Sequence, residues 1–159
     1  MRICVLSDTH IPVAAPALPP DLLRALEGAD LILHAGDVLE QSVLDELGAI
    51  AKVEAVRGNM DRPDVQQGLP VKKVVEAQGK RIGLIHGGGP PWGLGSRVLR
   101  EFQDVDIIVF GHSHHPLSEQ RDKVLLFNPG SPTDGRFAPY KSYGVIEITE
   151  TVRAEIVRL

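Results

Sequence analysis

Short β-branched runs recur along the chain, and each closes on a glycine or a turn residue. Arg2-Ile3-Cys4-Val5-Leu6-Ser7 leads into Asp8-Thr9-His10, Leu31-Ile32-Leu33-His34-Ala35 into Gly36-Asp37, and Val53-Glu54-Ala55-Val56-Arg57 into Gly58-Asn59. Further on, Ile82-Gly83-Leu84-Ile85 leads into His86-Gly87, and Ile107-Ile108-Val109-Phe110 into Gly111-His112-Ser113-His114. Apolar runs of this length, bounded in this way, read as buried strands of an α/β sheet. Between the first three, Pro20 and Asp21 suit a helical first turn with Gly28 past its end, predicting a helix over 20–27. Val43, Leu44 and Leu47 fall on one face of a second helix over 41–47. Strands at 3–7, 31–35 and 53–57 with these two helices make a βαβαβ third, for which parallel pairing by right-handed crossovers is expected.

The second part of the chain changes character. Runs at 71–76 and 81–86 flank Ala77-Gln78-Gly79-Lys80 and predict a hairpin. A Gly/Pro-rich loop at 87–93 precedes a helix over 95–102, a strand at 106–110, and further strands at 123–127, 143–148 and 152–157. Two sheets packed face to face, with helices outside, accommodate a parallel half and a hairpin-rich half. No linker or repeat divides the chain, so a single domain over 1–159 is expected.

Composition narrows the classes. At 159 residues, 43% hydrophobic and 24% charged, the chain fits one soluble globule that buries roughly 70% of its unfolded surface. A formal charge of -4 argues against an extended nucleic-acid footprint, which needs clustered Lys and Arg. A small anionic substrate remains compatible, since bound cations reverse the local sign. One cysteine excludes an internal disulfide framework, and Cys4 is expected as a small core residue. Neither a signal-peptide pattern nor a run of membrane-spanning length is present, and a cytoplasmic location with no membrane partner is expected.

Ligands of open α/β sheets bind beyond the carboxyl ends of the strands. The residues at those ends are Asp8, His10, Asp37, Asn59, His86, His112 and His114, all hard oxygen or borderline nitrogen donors. That set suits two divalent cations sharing a carboxylate. Asp8 and His10 are two apart and leave a strand on one side, and His112 and His114 repeat the spacing. Taken singly, Asp-x-His, Gly-Asp and Gly-Asn are ordinary pairs, and His86 reads as a satisfied core histidine. Their common placement at strand ends is what points to metal. Buried imidazoles and carboxylates converging without a cation are hard to satisfy by hydrogen bonds alone.

The order Asp8-x-His10, Gly36-Asp37, Gly58-Asn59-x-Asp61, His86 and Gly111-His112-x-His114 resembles the calcineurin-like metallophosphoesterase superfamily. The match spans 7–114, and Asn128-Pro129-Gly130-Ser131 extends it over most of the chain. The short length is similar to the small single-domain phosphodiesterase branch, which also contains the retromer scaffold subunit. The resemblance implies an α/β fold, a four-layer αββα sandwich of two mixed sheets packed face to face with helices outside. It implies two divalent metal ions, commonly Mn²⁺, with Ni²⁺, Fe or Zn²⁺ as other occupants. Carried over by motif, Asp8, His10, Asp37 and His114 hold the first and Asp37, Asn59, His86 and His112 the second. The implied activity is phosphodiester hydrolysis of a small phosphate ester, by in-line attack of a water or hydroxide bridging the metals. Asp37, Asn59 and His86 are its catalytic positions. The alternatives are a phosphomonoesterase on the same metals and a non-catalytic protein-binding scaffold. Related proteins are often dimers or tetramers, so a homo-oligomer is a further expectation.

One position departs from the wider superfamily. Where many members carry a histidine after the Gly-Asn pair, thought to protonate the leaving group, this chain has Met60. A thioether donates no proton, which argues against monoesters with poor leaving groups. The small phosphodiesterase branch lacks that histidine too. His115 is the candidate replacement acid, with an exposed loop imidazole as the alternative. His34 is expected in a supporting or core role, Arg57 and Arg62 as solvated charges beside the Gly-Asn turn, and 128–131 as a turn beside the site. Trp92 reads equally as a stacking platform for a base or as cover for the core.

Overall fold

The computed structural model describes residues 1–159. β1 (Arg2–Leu6), β2 (Leu31–His34) and β3 (Lys52–Ala55) pair in parallel, joined through α1 (Pro20–Leu26) and α2 (Gln41–Gly48). The chain then forms α3 (Pro63–Gly68) and an antiparallel hairpin of β4 (Lys72–Ala77) and β5 (Lys80–Ile85). It continues through α4 (Leu94–Leu99), β6 (Ile107–Val109), β7 (Leu117–Arg121), β8 (Val124–Asn128), β9 (Ser142–Ile148) and β10 (Val152–Arg158). The strands form two five-stranded mixed sheets, ordered β10-β9-β1-β2-β3 and β4-β5-β6-β8-β7. The expected architecture is therefore present, with both predicted crossovers parallel and the hairpin in place.

Alternation of side chains builds the layers. Ile3 and Val5 of β1 and Leu31 and Leu33 of β2 face inward, meeting Ile82, Leu84, Ile107, Val109 and Phe127 of the second sheet. The intervening Cys4, Leu6 and Ile32 turn outward against Leu22 and Leu26 of α1 and Val43, Leu44 and Leu47 of α2. On the other side Ile85, Ile108, Phe110 and Leu126 pack against Leu94 and Val98 of α4. Strands covered on both faces read as near-continuous apolar runs, which is why they were plain in the sequence. Cys4 is such a core residue, fully buried.

Two elements were not predicted. α3 is a six-residue helix that buries only Val65, too short for a periodic signal. β7, Leu-Ser-Glu-Gln-Arg, is an edge strand whose inward side chains are only half-buried, so it lacks the apolar run. The predicted helix over 95–102 ends earlier, at Leu99, and the strand predicted at 106–110 pairs only over Ile107–Val109.

The topology gives the sandwich two unlike poles. The parallel strands β1, β2, β3, β5, β6 and β8 end at one pole. The hairpin turns after β4, β7 and β9 lie at the other, since Ala77 pairs with Lys80, Arg121 with Val124 and Ile148 with Val152.

Phe127 interlocks the sheets. It is fully buried, and a Cβ added at Gly144 of β9 would come within 2.3 Å of its ring. Phe127→Ala should destabilise the protein by about 3–5 kcal/mol through lost burial and the cavity left behind. Gly144→Ala should also destabilise, because the ring has no room to retreat. Urea unfolding of the metal-free protein measures both.

Candidate metal centre

The loops leaving the parallel strands bring Asp8, His10, Asp37, Asn59, His86, His112 and His114 together at one pole. Their backbone is unusual. Asp8, His10, Asp37, His112 and His114 all have positive φ, between 45° and 69°. Residues other than glycine hold that conformation only where their surroundings over-determine it, and such strain gathers at functional sites. Here the loops bond each other: Asp8 N–H donates to Gly36 O (3.0 Å), His10 N–H to Asp37 O (3.0 Å) and Gly111 N–H to His86 O (3.1 Å). The glycines permit the approach. A Cβ on Gly58 would lie 2.1 Å from Asp37 Oδ1, and one on Gly111 would lie 1.8 Å from Ser7 Oγ.

Both carboxylates are held by one oxygen and offer the other. Asp8 Oδ2 accepts from Ser7 Oγ (2.5 Å) and from the His112 N–H (3.0 Å). Asp8 Oδ1 has no hydrogen-bond partner, although it is buried 3.3 Å from His114 Nε2, 3.7 Å from His10 Nε2 and 4.0 Å from His86 Nε2. Those nitrogens are near enough to attract it but off the line of a hydrogen bond. Asp37 Oδ1 accepts from the Met60 N–H (2.8 Å), while Oδ2 lies 3.5 Å from His10 Nε2 and 3.2 Å from His86 Nε2.

The imidazoles define the chemistry the cluster can hold. His86 Nδ1 is 2.7 Å from Ala35 O, so it must donate there, and in the neutral ring Nε2 is then a lone pair. That lone pair faces Asn59 Oδ1 at 3.1 Å and Asp37 Oδ2 at 3.2 Å, both acceptors. His112 repeats the arrangement. Nε2 donates to Gly89 O (2.8 Å), which turns the Nδ1 lone pair toward Asn59 Oδ1 at 3.2 Å. Between the His86 lone pair and the Asp37 carboxylate only a positive charge, a proton or a cation, reconciles the two acceptors, whereas the Asn59 amide turned about can offer its NH2 to both rings. Buried groups of three, Asp8-His10-His114 and Asp8-Asp37-His86, each place their ligand atoms within 4.8 Å of one another. The donor set fits divalent ions of the Mn, Fe, Ni and Zn kind.

Protonation answers the same need in the metal-free protein. Burial would lower His86, but the neighbouring Asp37 and Asp8 carboxylates outweigh it and raise its pKa to about 9. His114 is raised likewise, burial again being outweighed by Asp8. Burial would raise Asp8, yet His10 and His114 beside it hold it far below the usual carboxylate range. The burial of Asp37 is outweighed in the same way by His86, lowering its pKa.

All seven predicted residues thus converge, five of them buried, with Asn59 exposed and His112 half-buried on the rim. His34 supports them from below. Its Nδ1 accepts from the Gly36 N–H (3.2 Å), so Nε2 donates to Thr9 Oγ1 (3.1 Å), and burial lowers its pKa to about 4, keeping it neutral. Asn128 donates to Gly111 O (3.0 Å) and steadies the loop carrying both terminal histidines. Arg57 caps Gln66 O (3.1 Å) and Arg62 pairs with Glu40.

Sequence reasoning passed over Asp61 as a working part. Buried, it accepts from Leu39 N–H (2.7 Å), Gly58 N–H (2.7 Å) and Asp37 N–H (3.3 Å), clamping the two loops that carry Asp37 and Asn59. Its signal was its place two residues after Asn59. Asp134 was also passed over; its buried Oδ2 lies 3.6 Å from His114 Nδ1, which has no hydrogen-bond partner.

Comparison with known proteins agrees with this geometry. Residues 1–151 match the calcineurin-like phosphoesterase superfamily domain. A probable metallophosphoesterase of Methanocaldococcus jannaschii is 39% identical over 99% of this chain and 81% of its own length. Phosphodiesterase YfcE of Escherichia coli is 31% identical over 92% of this chain and 88% of its own. Among solved structures, Vps29 of Entamoeba histolytica complexed with Zn²⁺ superposes with a TM-score of 0.80 at 27% identity, covering 99% of both chains.

A cation entering this cluster must displace protons. His86 is raised from 6.5 to about 9 in the folded protein, so its stabilising contribution is full below about pH 6.5 and lost as pH rises through about 9. The metal-free protein should therefore lose stability over that window, while apparent Mn²⁺ affinity rises. Calorimetry in buffers of differing ionisation heat should detect protons released on binding near neutral pH. Asp61→Ala should weaken Mn²⁺ binding by roughly 10–100-fold without removing a ligand.

Proposed function

Since this chain belongs to the calcineurin-like phosphoesterase superfamily, we propose that it is a dinuclear metal-dependent phosphodiesterase of small phosphate esters, with water as the in-line nucleophile. The supporting observation is the convergence of Asp8 Oδ1 and Asp37 Oδ2 on the ring nitrogens of His10, His86 and His114, where the Asp37 carboxylate faces a His86 lone pair that only positive charge reconciles with it. Asp8, His10, Asp37 and His114 would hold one ion, and Asp37, Asn59, His86 and His112 the other. Bound there, Mn²⁺ or a similar ion would acidify water and neutralise charge on the phosphoryl oxygens.

The chain's own residues supply position and selectivity. Asp37 Oδ2 lies 3.5 Å from His10 Nε2 and 3.2 Å from His86 Nε2, so Asp37 would be the residue shared by the two ions, and the Met60 N–H fixes its other oxygen. Asn59 turns Oδ1 toward His86 and His112, leaving its amide nitrogen as a donor for a phosphoryl oxygen. Met60 offers no proton to a departing alkoxide, so diesters whose leaving groups depart unaided are the fitting substrates. His115 lines the cleft over the centre; its Nδ1 donates to Ser113 O (3.1 Å), so Nε2 has a proton to give only when the ring is doubly protonated.

A scaffold role is the second reading, and the likeness to Vps29 favours it. Activity separates the two, since the Vps29 structure itself holds Zn²⁺. Protein purified without added metal should carry about two ions per chain if it is the enzyme. Hydrolysis of a para-nitrophenyl diester should vanish in EDTA and return with Mn²⁺. Asp37→Asn should lose metal and reduce the rate by several orders of magnitude. Full activity in excess chelator, with metal shown to be absent, would refute the enzyme reading. Faster turnover of para-nitrophenyl phosphate than of the diester would make it a monoesterase.

A further inference from the structure

Large apolar side chains are exposed around the mouth of the centre. Val13 is 71% exposed, Met60 58% and Phe137 60%, and all three line one cleft of about 490 Å³ that opens on His10, His112 and His114. They come from three separate loops, following β1, β3 and β8. Trp92, 76% exposed, stands on a fourth, next to Pro91, which also lines the cleft. Exposed apolar side chains gathered at one place mark a binding surface, whereas scattered ones mean little. In this chain the exposed large hydrophobics outside this group are Val71, Val74 and Leu159.

We propose that Val13, Met60 and Phe137 form an apolar collar that seats one organic arm of the phosphodiester, a flat ring of aryl or nucleobase size. The proposal rests on the phosphodiesterase reading and narrows its substrate class. The volume supports a small molecule over a protein segment, because it holds a phosphate and one ring system. The collar is also fixed in place. Phe137 meets His114 edge-on, with ring centroids 5.6 Å apart at 78°, and Arg136 covers its ring at 5.4 Å. Arg136 is itself held by Asp134 through bonds of 2.8 and 2.9 Å, so its charge is largely matched within the protein. Met60 joins collar to centre, since its N–H holds Asp37 while its exposed side chain lines the cleft. A second cleft of about 310 Å³ adjoins Asn59 and is lined by Arg57, Arg97 and Glu101 together with Val71, Ile85 and Val98. A phosphate at the centre would lie between the two clefts, and the larger, ringed by the exposed Val13, Met60 and Phe137, is the one with room for a flat apolar arm.

Two diesters sharing the para-nitrophenyl leaving group, one with a phenyl and one with a methyl second arm, test this with the Mn²⁺-loaded protein. The wild type should show a phenyl-to-methyl ratio of kcat/KM of roughly 10- to 100-fold, the worth of burying ~100 Å² of ring. Phe137→Ser and Met60→Ser should each lower that ratio, and their combination with Val13→Ser should bring it close to one. The para-nitrophenyl ester of thymidine phosphate, run alongside, distinguishes a nucleobase from a simple aryl group. Calorimetric binding of phenylphosphonate against methylphosphonate gives the same ratio without turnover. A wild-type ratio near one, with both diesters hydrolysed and EDTA-sensitive, overturns the collar and leaves the proposed function intact. If neither diester is turned over, the proposed function fails and the phosphonate ratio alone judges the collar. If the triple serine variant leaves the ratio unchanged but turns a dimer into a monomer in sedimentation, the collar is a contact between copies of the chain and the proposal falls.

Discussion

Asp8 is wholly buried where the two sheets meet, and its two oxygens have opposite fates. Oδ2 receives Ser7 from its own strand and the His112 backbone from the other sheet, while Ser131 Oγ donates to its carbonyl (2.7 Å) from the loop after β8. Two segments more than a hundred residues away are thereby tied to one residue. Oδ1, left bare, faces three imidazoles. A carboxylate satisfied on both sides would be a structural tie, and one bare on both sides would not be buried at all. The divided arrangement makes the centre rigid and open to a ligand at once.

The same division explains why so much of the fold lies beneath so few residues. Asp8 and Asp37 are like charges in low-dielectric surroundings, and five of the seven converging residues hold backbone conformations that side chains disfavour. Neither condition would persist on a loose loop. It persists because the strands beneath are apolar on both faces and the loops bond to one another through Asp61 and Asn128. A proton borne by His86, whose pKa is raised to about 9, relieves the repulsion in the metal-free protein, and the same carboxylates raise His114. Stability and metal affinity are therefore coupled in opposite senses through the same imidazoles.

What could be read from the sequence followed the same physics. Strands buried on both faces announce themselves as runs, so β1, β2, β5 and β6 and the polar residues ending them were legible, while β3, an edge strand, showed through the apolar Val53, Ala55 and Val56 before its Gly-Asn turn. β7 was not, because an edge strand with half-buried polar side chains lacks that pattern, and α3 was too short to show a period. Within the centre the converging atoms were legible as donor types, but the residues that aim them were not. Asp61, Ser131 and Thr133 act through bonds between segments far apart in sequence, such as Thr133 Oγ1 to Thr9 O at 2.6 Å. No local spacing encodes such contacts. Met60 was read for the proton it cannot give, whereas its backbone N–H on Asp37 emerged only in three dimensions.

The two poles of the sandwich also divide tolerance to change. At the pole of the centre every loop is braced by another, and an inserted residue between Gly36 and Asp37 would shift a carboxylate and two glycine approaches together. At the opposite pole the turns at Gln78-Gly79, Asp122-Lys123 and 149–151 close simple antiparallel pairs with no part in the cluster. Surface turns of that kind accept added chain. Lineages of this fold can therefore acquire extra segments, labels or whole inserted modules at one end while the chemistry at the other stays in register.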